Sequence, residues 1–381
     1  MKQIYTLITL VLCATFSFVQ AAPVPSPPKL AAKSFLLIDY NSGRILAEKD
    51  INKKVEPASI TKLMTAYVIY KEIAAGRLTL EEEVTISKKA WQMKGSKMFI
   101  EVGKKVSVSN LLKGLIIQSG NDATVALAEH VAGSESAFAD YMNQYAQALD
   151  MVDTNFVNAT GWPHKNHMTT AADLAKLASA IIREFPEHYK WYKEKEFIYN
   201  DIKQYNRNKL LWRDNSVDGF KTGHTASAGY CLVASAIRKD MRLISIVLGT
   251  NSEKSRESVS QSLLSYGFRF YESSKLYGAG EILNTTRIWM GDSKELNLGL
   301  SKDLYVTIPR GQYKKLDAVM DVNKNIEAPV EQGQQLGVVS VTLDGEEIVS
   351  QPLIALEAVA EGSLWQLGKD KVLQFFLSLM E

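Results

Sequence analysis

Three short stretches, far apart in the chain, carry side chains that belong together chemically. Ser59-Ile60-Thr61-Lys62 sets a hydroxyl and an amine three positions apart, and on a helix positions i and i+3 share a face. A serine is a weak nucleophile until a neighbour takes its proton. A lysine can take it only when burial or a second positive charge pulls its own pKa down. Ser119-Gly120-Asn121 falls at a break between two helical stretches and would bring a hydroxyl and an amide into a cleft. Lys221-Thr222-Gly223-His224 opens a strand-rich return of the chain and supplies the second cation. Thr222 and the strand edge would hold a peptide with its terminal carboxylate, and Gly223 would let a substrate come close to the backbone.

Taken singly, each stretch has an ordinary explanation. S-x-x-K reads equally as an N-cap serine beside a solvated lysine, Ser-Gly-Asn as a turn, and the last tetrapeptide as a strand end. Their conjunction, in this order and at separations that suit a helical cluster and a strand, points to acyl transfer through a serine.

The elements that must position these groups follow from periodicity. Residues 34–39 and 44–47 are apolar runs around Tyr40-Asn41-Ser42-Gly43, a hairpin pattern. Helical period covers residues 59–73, 109–118, 122–131, 135–149 and 171–185, with Pro57 ahead of the first and Ala74-Ala75-Gly76 closing it. Residues 153–168 read as a polar loop. Strands over 230–237 and 241–248 flank Arg238-Lys239-Asp240, and a helix over 255–266 follows. Strands at both ends with helices between predict an α+β domain, an antiparallel sheet against a helical cluster. Beyond about Glu272, short strands such as 304–308 and 337–343, with the turn Asp344-Gly345, predict a small all-β module reaching about Leu356. In the tail, residues 363–381, a rotation of about 100° per residue gathers Leu364, Trp365, Val372, Phe375, Phe376 and Leu379 on one side. Asp370, Lys371, Gln374 and Ser378 fall opposite. Such a helix is expected to lie in a membrane interface rather than dock on the β module.

The whole chain fits that organisation. Its 381 residues can hold more than one domain, and 46% apolar with 23% charged residues is globular composition. A net charge of +2, from 44 basic and 42 acidic residues, gives no field that would draw nucleic acid. Lys2, the apolar run 4–19 and Val19-Gln20-Ala21 read as a secretory signal cut after Ala21 or Ala22. The run is short for a spanning anchor, and the bulky Leu12 before Cys13 argues against a lipoprotein site. The mature chain then keeps Cys231 alone, inside an apolar run, where it reads as a buried small hydrophobe. The expected segments are 1–21 (signal), 22–275 (catalytic domain), 276–360 (all-β domain) and 361–381 (amphipathic helix).

On Pro57-Ala58-Ser59-Ile60-Thr61-Lys62-Leu63-Met64-Thr65, Gln118-Ser119-Gly120-Asn121-Asp122-Ala123 and Asp218-Gly219-Phe220-Lys221-Thr222-Gly223-His224-Thr225, the chain resembles the low-molecular-mass penicillin-binding D,D-carboxypeptidases, peptidase family S11, over nearly its full length. The resemblance implies a β-lactamase/transpeptidase-like domain, then the β module and the anchoring helix. It implies Ser59 as acylated nucleophile, Lys62 as its base and Ser119 as proton relay. Asn121, Lys221, Thr222, Gly223 and His224 are implied as substrate contacts, and the backbone amides of Ser59 and His224 as the oxyanion hole. Arg256 matches a further arginine near the substrate carboxylate, and Asp173 and Arg207 match a structural charge pair. The implied partners are the peptidoglycan stem peptide, β-lactams and, through the last helix, the surface of the inner membrane. The implied place is peripheral, on the periplasmic face of the cytoplasmic membrane. No cofactor and no metal is implied.

Rival readings are weaker. A class A β-lactamase needs a glutamate in the loop after the second element, and no glutamate lies between Glu135 and Glu184; Ser-Gly-Asn also replaces its usual Ser-Asp-Asn. A Ser-His-Asp hydrolase would show a G-x-S-x-G elbow, which is missing. His164 and His167 lack the spacing of a helical zinc motif and read as exposed loop histidines. A non-catalytic cell-wall scaffold would not need every reactive group in place. A D,D-endopeptidase acting on cross-links uses the same groups and stays open.

Overall fold

The computed structural model describes residues 24–378, so the signal-like stretch lies outside the described residues. Five strands form an antiparallel sheet: β1 (Ser34–Asp39), β2 (Ile45–Lys49), β3 (Val217–Thr225), β4 (Gly229–Arg238) and β5 (Met241–Thr250). Their order is β2-β1-β5-β4-β3, which pairs the first and last strand groups of the domain. Both faces are covered, and the period-2 alternation of a strand sorts the side chains. Leu36, Ile38, Ile244, Ile246 and Leu248 enter the core shared with the helical cluster. Phe35, Leu37, Leu243 and Val247 enter a second core with Val259, Leu263 and Leu264 of the helix Glu253–Phe270.

The helical cluster contains α1 (Lys62–Ala74), α2 (Val108–Lys113), α3 (Asn121–Ala132), α4 (Glu135–Ala148) and α5 (Ala171–Glu184). Two departures from the expected helices touch the reactive groups. The first expected helix opens as a 3-10 turn, Ala58–Thr61, before α1 begins. The helix over 109–118 ends in a π-helical turn, Gly114–Gln118, after which Ser119 takes a left-handed backbone with φ of 63°. Two short antiparallel strand pairs were not legible in the pattern: Glu83–Thr85 with Lys105–Ser107, and the hairpin Glu196–Tyr199 with Ile202–Tyr205.

Beyond residue 270 the chain is strands and loops, apart from the 3-10 turn Tyr313–Lys315, until its last helix. Tyr271–Tyr277 pairs with Leu304–Pro309, and a five-stranded antiparallel sheet surrounds a separate core including Leu296, Leu298, Val339, Val341 and Leu353. The strand Tyr271–Tyr277 runs across the expected boundary at 275/276. Tyr271 packs into the second core of the first domain, and Leu276 and Tyr277 pack against the β core. The last helix, Leu364–Ser378, rests on this β domain: Asp370 accepts a hydrogen bond from the Met290 amide at 2.8 Å, and Gln374 donates to Glu327 at 3.1 Å.

Candidate active site

The 3-10 turn carries Ser59 up to the mouth of a cleft and Lys62 directly beneath it. In a 3-10 turn the side chains at i and i+3 eclipse each other, so the amine is held under the hydroxyl. Lys62 Nζ lies 3.0 Å from Ser59 Oγ, 2.7 Å from Asn121 Oδ1 and 2.9 Å from the Thr160 carbonyl oxygen. The Asn121 amide is oriented by its other end, since Nδ2 donates to the Lys94 carbonyl at 2.6 Å. Lys62 is fully buried. Burial drags its pKa down to about 7, against the pull of Asp122 and Glu135, which favour the charged form. A neutral amine has two N–H bonds and one lone pair. Asn121 Oδ1 and the Thr160 carbonyl can only accept and so take both N–H bonds, which leaves the lone pair for the Ser59 hydroxyl.

Lys221 is also buried, and its pKa is pushed well below the ordinary lysine value, first by burial and then by Lys62, Arg207 and Arg256. Withdrawal from water is the first cause for both lysines, and the mutual repulsion of the two ammonium groups disfavours the charge on each. Ser119, at the helix break, turns a buried hydroxyl inward that makes no hydrogen bond to any described residue.

Strand β3 is the edge of its sheet, so its outer N–H and C=O groups are free to pair with an extended peptide. Gly223 has a different reason from the expected one. A Cβ there would lie 2.9 Å from the Pro57 carbonyl oxygen and 3.2 Å from the Ile60 amide nitrogen. The missing side chain lets the strand meet the nucleophile turn, not the substrate meet the strand. Gly161 does the same from the other side, with φ of +83° and a Cβ position only 1.8 Å from the Ala58 carbonyl oxygen.

The cleft, about 570 Å³, is lined by Ser59, Ser96, Asn121, Trp162, Arg207 and His224 among others. His224 is exposed, and its ring lies tilted by 32° against Tyr230 with centroids 4.0 Å apart. Arg256 stands behind Tyr230, its guanidinium 5.7 Å from that ring, and is held by Glu253 at 2.9 Å. It reaches the site as charge felt by Lys221, while the arginine on the cleft wall is Arg207. The expected Asp173–Arg207 pair is not formed among the described residues. Asp173 instead accepts from the Thr154 hydroxyl and the Asp153 amide and lies 3.8 Å from Lys176.

Loop 153–168 was expected to be merely polar, yet it builds half the floor. Asn158 Oδ1 accepts the amides of Thr160, Gly161 and Trp162, a side-chain-built turn that aims the Thr160 carbonyl at Lys62. His167 is buried, not exposed. The Val157 amide donates to its Nδ1 at 3.0 Å, so Nε2 carries the proton and donates to Thr61 Oγ1 at 2.7 Å. Burial holds its pKa at about 4, which keeps the ring neutral. Asn-Ala-Thr-Gly at 158–161 was the available sign, a turn signal whose target lies 98 residues away.

Comparison with known proteins agrees with this constellation. The family described as D-alanyl-D-alanine carboxypeptidase, peptidase S11, matches residues 21–252, and the penicillin-binding protein 5 C-terminal domain matches residues 271–361. The D-alanyl-D-alanine carboxypeptidase DacA of Escherichia coli (strain K12) is 44% identical over 351 residues, 90% of this chain and 87% of that one. The crystal structure of penicillin-binding protein 5 from Haemophilus influenzae superposes with a TM-score of 0.85 at 42% identity, covering 88% of this chain and 100% of that one. Penicillin-binding protein D2 from Listeria monocytogenes, solved in its ampicillin-bound form, matches 63% of this chain and 100% of its own at 29% identity and a TM-score of 0.59.

Proposed function

The chain belongs to peptidase family S11, the D-alanyl-D-alanine carboxypeptidases, and from that premise we propose how its own residues divide the reaction. It is a serine-type carboxypeptidase that removes the terminal D-alanine of peptidoglycan pentapeptides through an acyl-enzyme, and β-lactams acylate it. Ser59 Oγ attacks the carbonyl between the two D-alanines as Lys62 Nζ accepts its proton. The backbone amides of Ser59 and His224 receive the negative charge on the carbonyl oxygen. Ser119 passes a proton to the departing amine. Asn121 fixes Lys62 and contacts the substrate amide, while Lys221, Thr222 and the charge of Arg256 hold the carboxylate of the leaving residue. Water then attacks the ester, with Lys62 again taking the proton.

One observation carries this assignment: a buried amine near half-neutrality at pH 7, both of its N–H bonds engaged, stands 3.0 Å from Ser59 Oγ. The test is labelling with a fluorescent penicillin, native against Ser59→Ala, with the adduct located by mass spectrometry. Stoichiometric label on Ser59, absent in the variant, is expected; a native protein that takes no label refutes the assignment.

We also propose that the protein is exported and held peripherally on the periplasmic face of the cytoplasmic membrane by its last helix. The apolar N-terminal run supports export. Among the described residues no helix is long and apolar enough to cross a membrane. The stripe of the last helix that faces the β domain includes Asp370 and Gln374, while Leu364 and Trp365 are 90% and 83% exposed and Phe375 and Phe376 are also exposed. A helix docked through polar residues with its aromatic side outward fits an interfacial anchor.

A further inference from the structure

Thr160, Trp162 and Pro163 line the catalytic cleft and also a second pocket, of about 690 Å³. Met93, Val157, Pro163 and Trp162 give this pocket an apolar lining, and the shared Trp162 ring is 48% exposed. Three lysines add charge to the wall: Lys88, Lys89 and Lys94. Lys89 is matched by Glu135 at 2.9 Å, and the other oxygen of Glu135 accepts the Ala159 amide at 3.3 Å. Glu135 is the one carboxylate among the lining residues, so it is spent. His164, the remaining titratable wall residue, accepts the Asn166 amide at Nδ1. Lys88 and Lys94 are exposed and have no carboxylate partner among the described residues. An apolar chamber with two unmatched ammonium groups is complementary to an apolar chain that ends in an anion.

The order of residues along β3 says which part of a substrate can reach it. In the proposed reaction the leaving residue's carboxylate sits at Thr222 and the scissile carbonyl at His224. The strand runs on through Thr225 to Ala226, and both line the cleft together with Trp162. The acyl part therefore leaves the cleft between Ala226 and Trp162, and the pocket opens on that side. Its walls also carry the supports of the base. The Lys94 carbonyl accepts from Asn121 Nδ2, and the Asn158 side chain builds the turn that presents the Thr160 carbonyl. Asn121 and Thr160 are the two acceptors that engage the N–H bonds of Lys62. A group seated in the pocket would brace both segments.

We propose that this pocket is an acyl-side subsite for a carboxylate carried on a flexible apolar arm of the acyl donor, with the arm against Met93 and Trp162 and the carboxylate at Lys88 and Lys94. The proposal rests on acylation at Ser59 and on the direction of the substrate along β3. It makes the enzyme selective for the charge of the donor's side group as well as for its D-alanyl end. Lys88 and Lys94 act here as specificity residues.

The test uses D-Ala-D-Ala N-acylated with succinyl, glutaryl, adipoyl or pimeloyl chains, each ending in a carboxylate or in the matching carboxamide. The readout is the ratio of kcat/KM for carboxylate over carboxamide at each chain length. Both donors meet the same protein, so the ratio is independent of how much of a preparation is active. An ion pair at a partly exposed site predicts a native ratio of about threefold or more at the length that reaches the lysines. Raising salt screens exposed charges and should bring that ratio toward one. Lys88→Gln/Lys94→Gln should abolish the preference, and Lys88→Glu/Lys94→Glu should invert it in favour of the carboxamide. A native protein that prefers no carboxylate donor at any length overturns the subsite. So does a preference that salt leaves unchanged or that survives charge reversal. Failure of the native protein to be acylated by fluorescent penicillin would instead overturn the assignment of Ser59 on which the subsite depends.

Discussion

Gly223 and Ile60 are pressed together so closely that a methyl group on Gly223 would lie 3.1 Å from Ile60 Cγ1 and 3.2 Å from the Ile60 amide nitrogen. The same methyl would lie 2.9 Å from the Pro57 carbonyl oxygen, a backbone atom that cannot swing aside. Gly223→Ala must therefore push the edge strand away from the nucleophile turn, and the strand carries Lys221, Thr222 and His224 with it. Overpacking of this kind costs about 1–3 kcal/mol. Penicillin acylation should fall by about tenfold or more, because misplacement by a fraction of an ångström is enough to weaken a preorganised site. Stopped-flow labelling beside thermal unfolding checks both, and an alanine variant that acylates at the native rate would mean the contact does not set the geometry.

Replacing Lys62 by alanine removes the proton acceptor and leaves the hydroxyl with no base. General-base catalysis contributes about 10²–10⁴-fold, so Lys62→Ala should show no measurable acylation on the time scale of native labelling. The fold should survive. The variant leaves Asn121 Oδ1 and the Thr160 carbonyl short of a donor, at about 1–3 kcal/mol, but it also removes an amine that is costly to bury. Normal acylation in a folded variant would exclude Lys62 as the base.

The pH dependence follows from the position of Lys62. With its pKa at about 7, acylation should rise about tenfold per pH unit below that value and level off above it. Stability moves in the same direction. The unfolded lysine keeps its proton up to its ordinary value of 10.5, and the folded one only up to about 7. Between those limits the unfolded chain binds more protons, so stability rises with pH. The contribution is complete above 10.5 and lost as pH falls to about 7; the depressed Lys221 acts in the same sense. Urea titrations of native protein and Lys62→Ala across that window should show a shallower slope in the variant.

The reactive groups were legible because their signals are local. The three-residue step from Ser59 to Lys62, the helix break at Ser119 and the strand opening at Lys221 each survive as short strings. The α+β architecture was legible too, since the short apolar runs over 34–39 and 241–248 and the helical period over 171–185 are strong patterns. Groups whose role depends on a distant partner were hidden. Nothing near Thr160 says that its carbonyl completes the shell of Lys62, nothing near Gly223 names Pro57 as its neighbour, and Asp173 finds Lys176 and Thr154 rather than Arg207. The 3-10 start of the first helix was equally hidden, because Gly161 occupies the space beside Ala58 from another part of the chain.

His167 ties loop 153–168 to the nucleophile turn through Thr61, and it does so as a neutral ring. Its folded pKa, about 4, lies below the ordinary 6.5. Between these values the unfolded chain binds the proton and the folded one does not, so the contribution is complete above 6.5 and lost as pH falls to 4. The loss amounts to about 3 kcal/mol, at about 1.4 kcal/mol per pKa unit. His167→Gln should be less stable than native near pH 7 and should lose less stability between pH 6.5 and 4. Parallel stability–pH curves would show that the ring does not titrate in this window.

Removal of residues 363–381 tests the anchor. Two faces of the last helix make opposite demands. Asp370 bonds to the Met290 amide and sits 3.7 Å from Arg287, whose guanidinium lies 3.6 Å from the Trp289 ring centre, so the inward stripe is satisfied by the β domain. Trp365, Phe375 and Phe376 are left in water at 83%, 62% and 58% exposure. Each large side chain withdrawn from water is worth about 1.5–3 kcal/mol, and three such groups suffice for reversible binding to a lipid surface. The full chain should co-sediment with vesicles while the truncated chain stays in the supernatant and keeps its native rate of penicillin acylation, since Ser59 and Lys62 belong to another core. Asp370→Ala should loosen the helix from the β domain without releasing it from vesicles, whereas Trp365→Ser/Phe375→Ser/Phe376→Ser should release the protein with its fold intact. A truncated chain that still co-sediments would place the membrane contact elsewhere on the molecule.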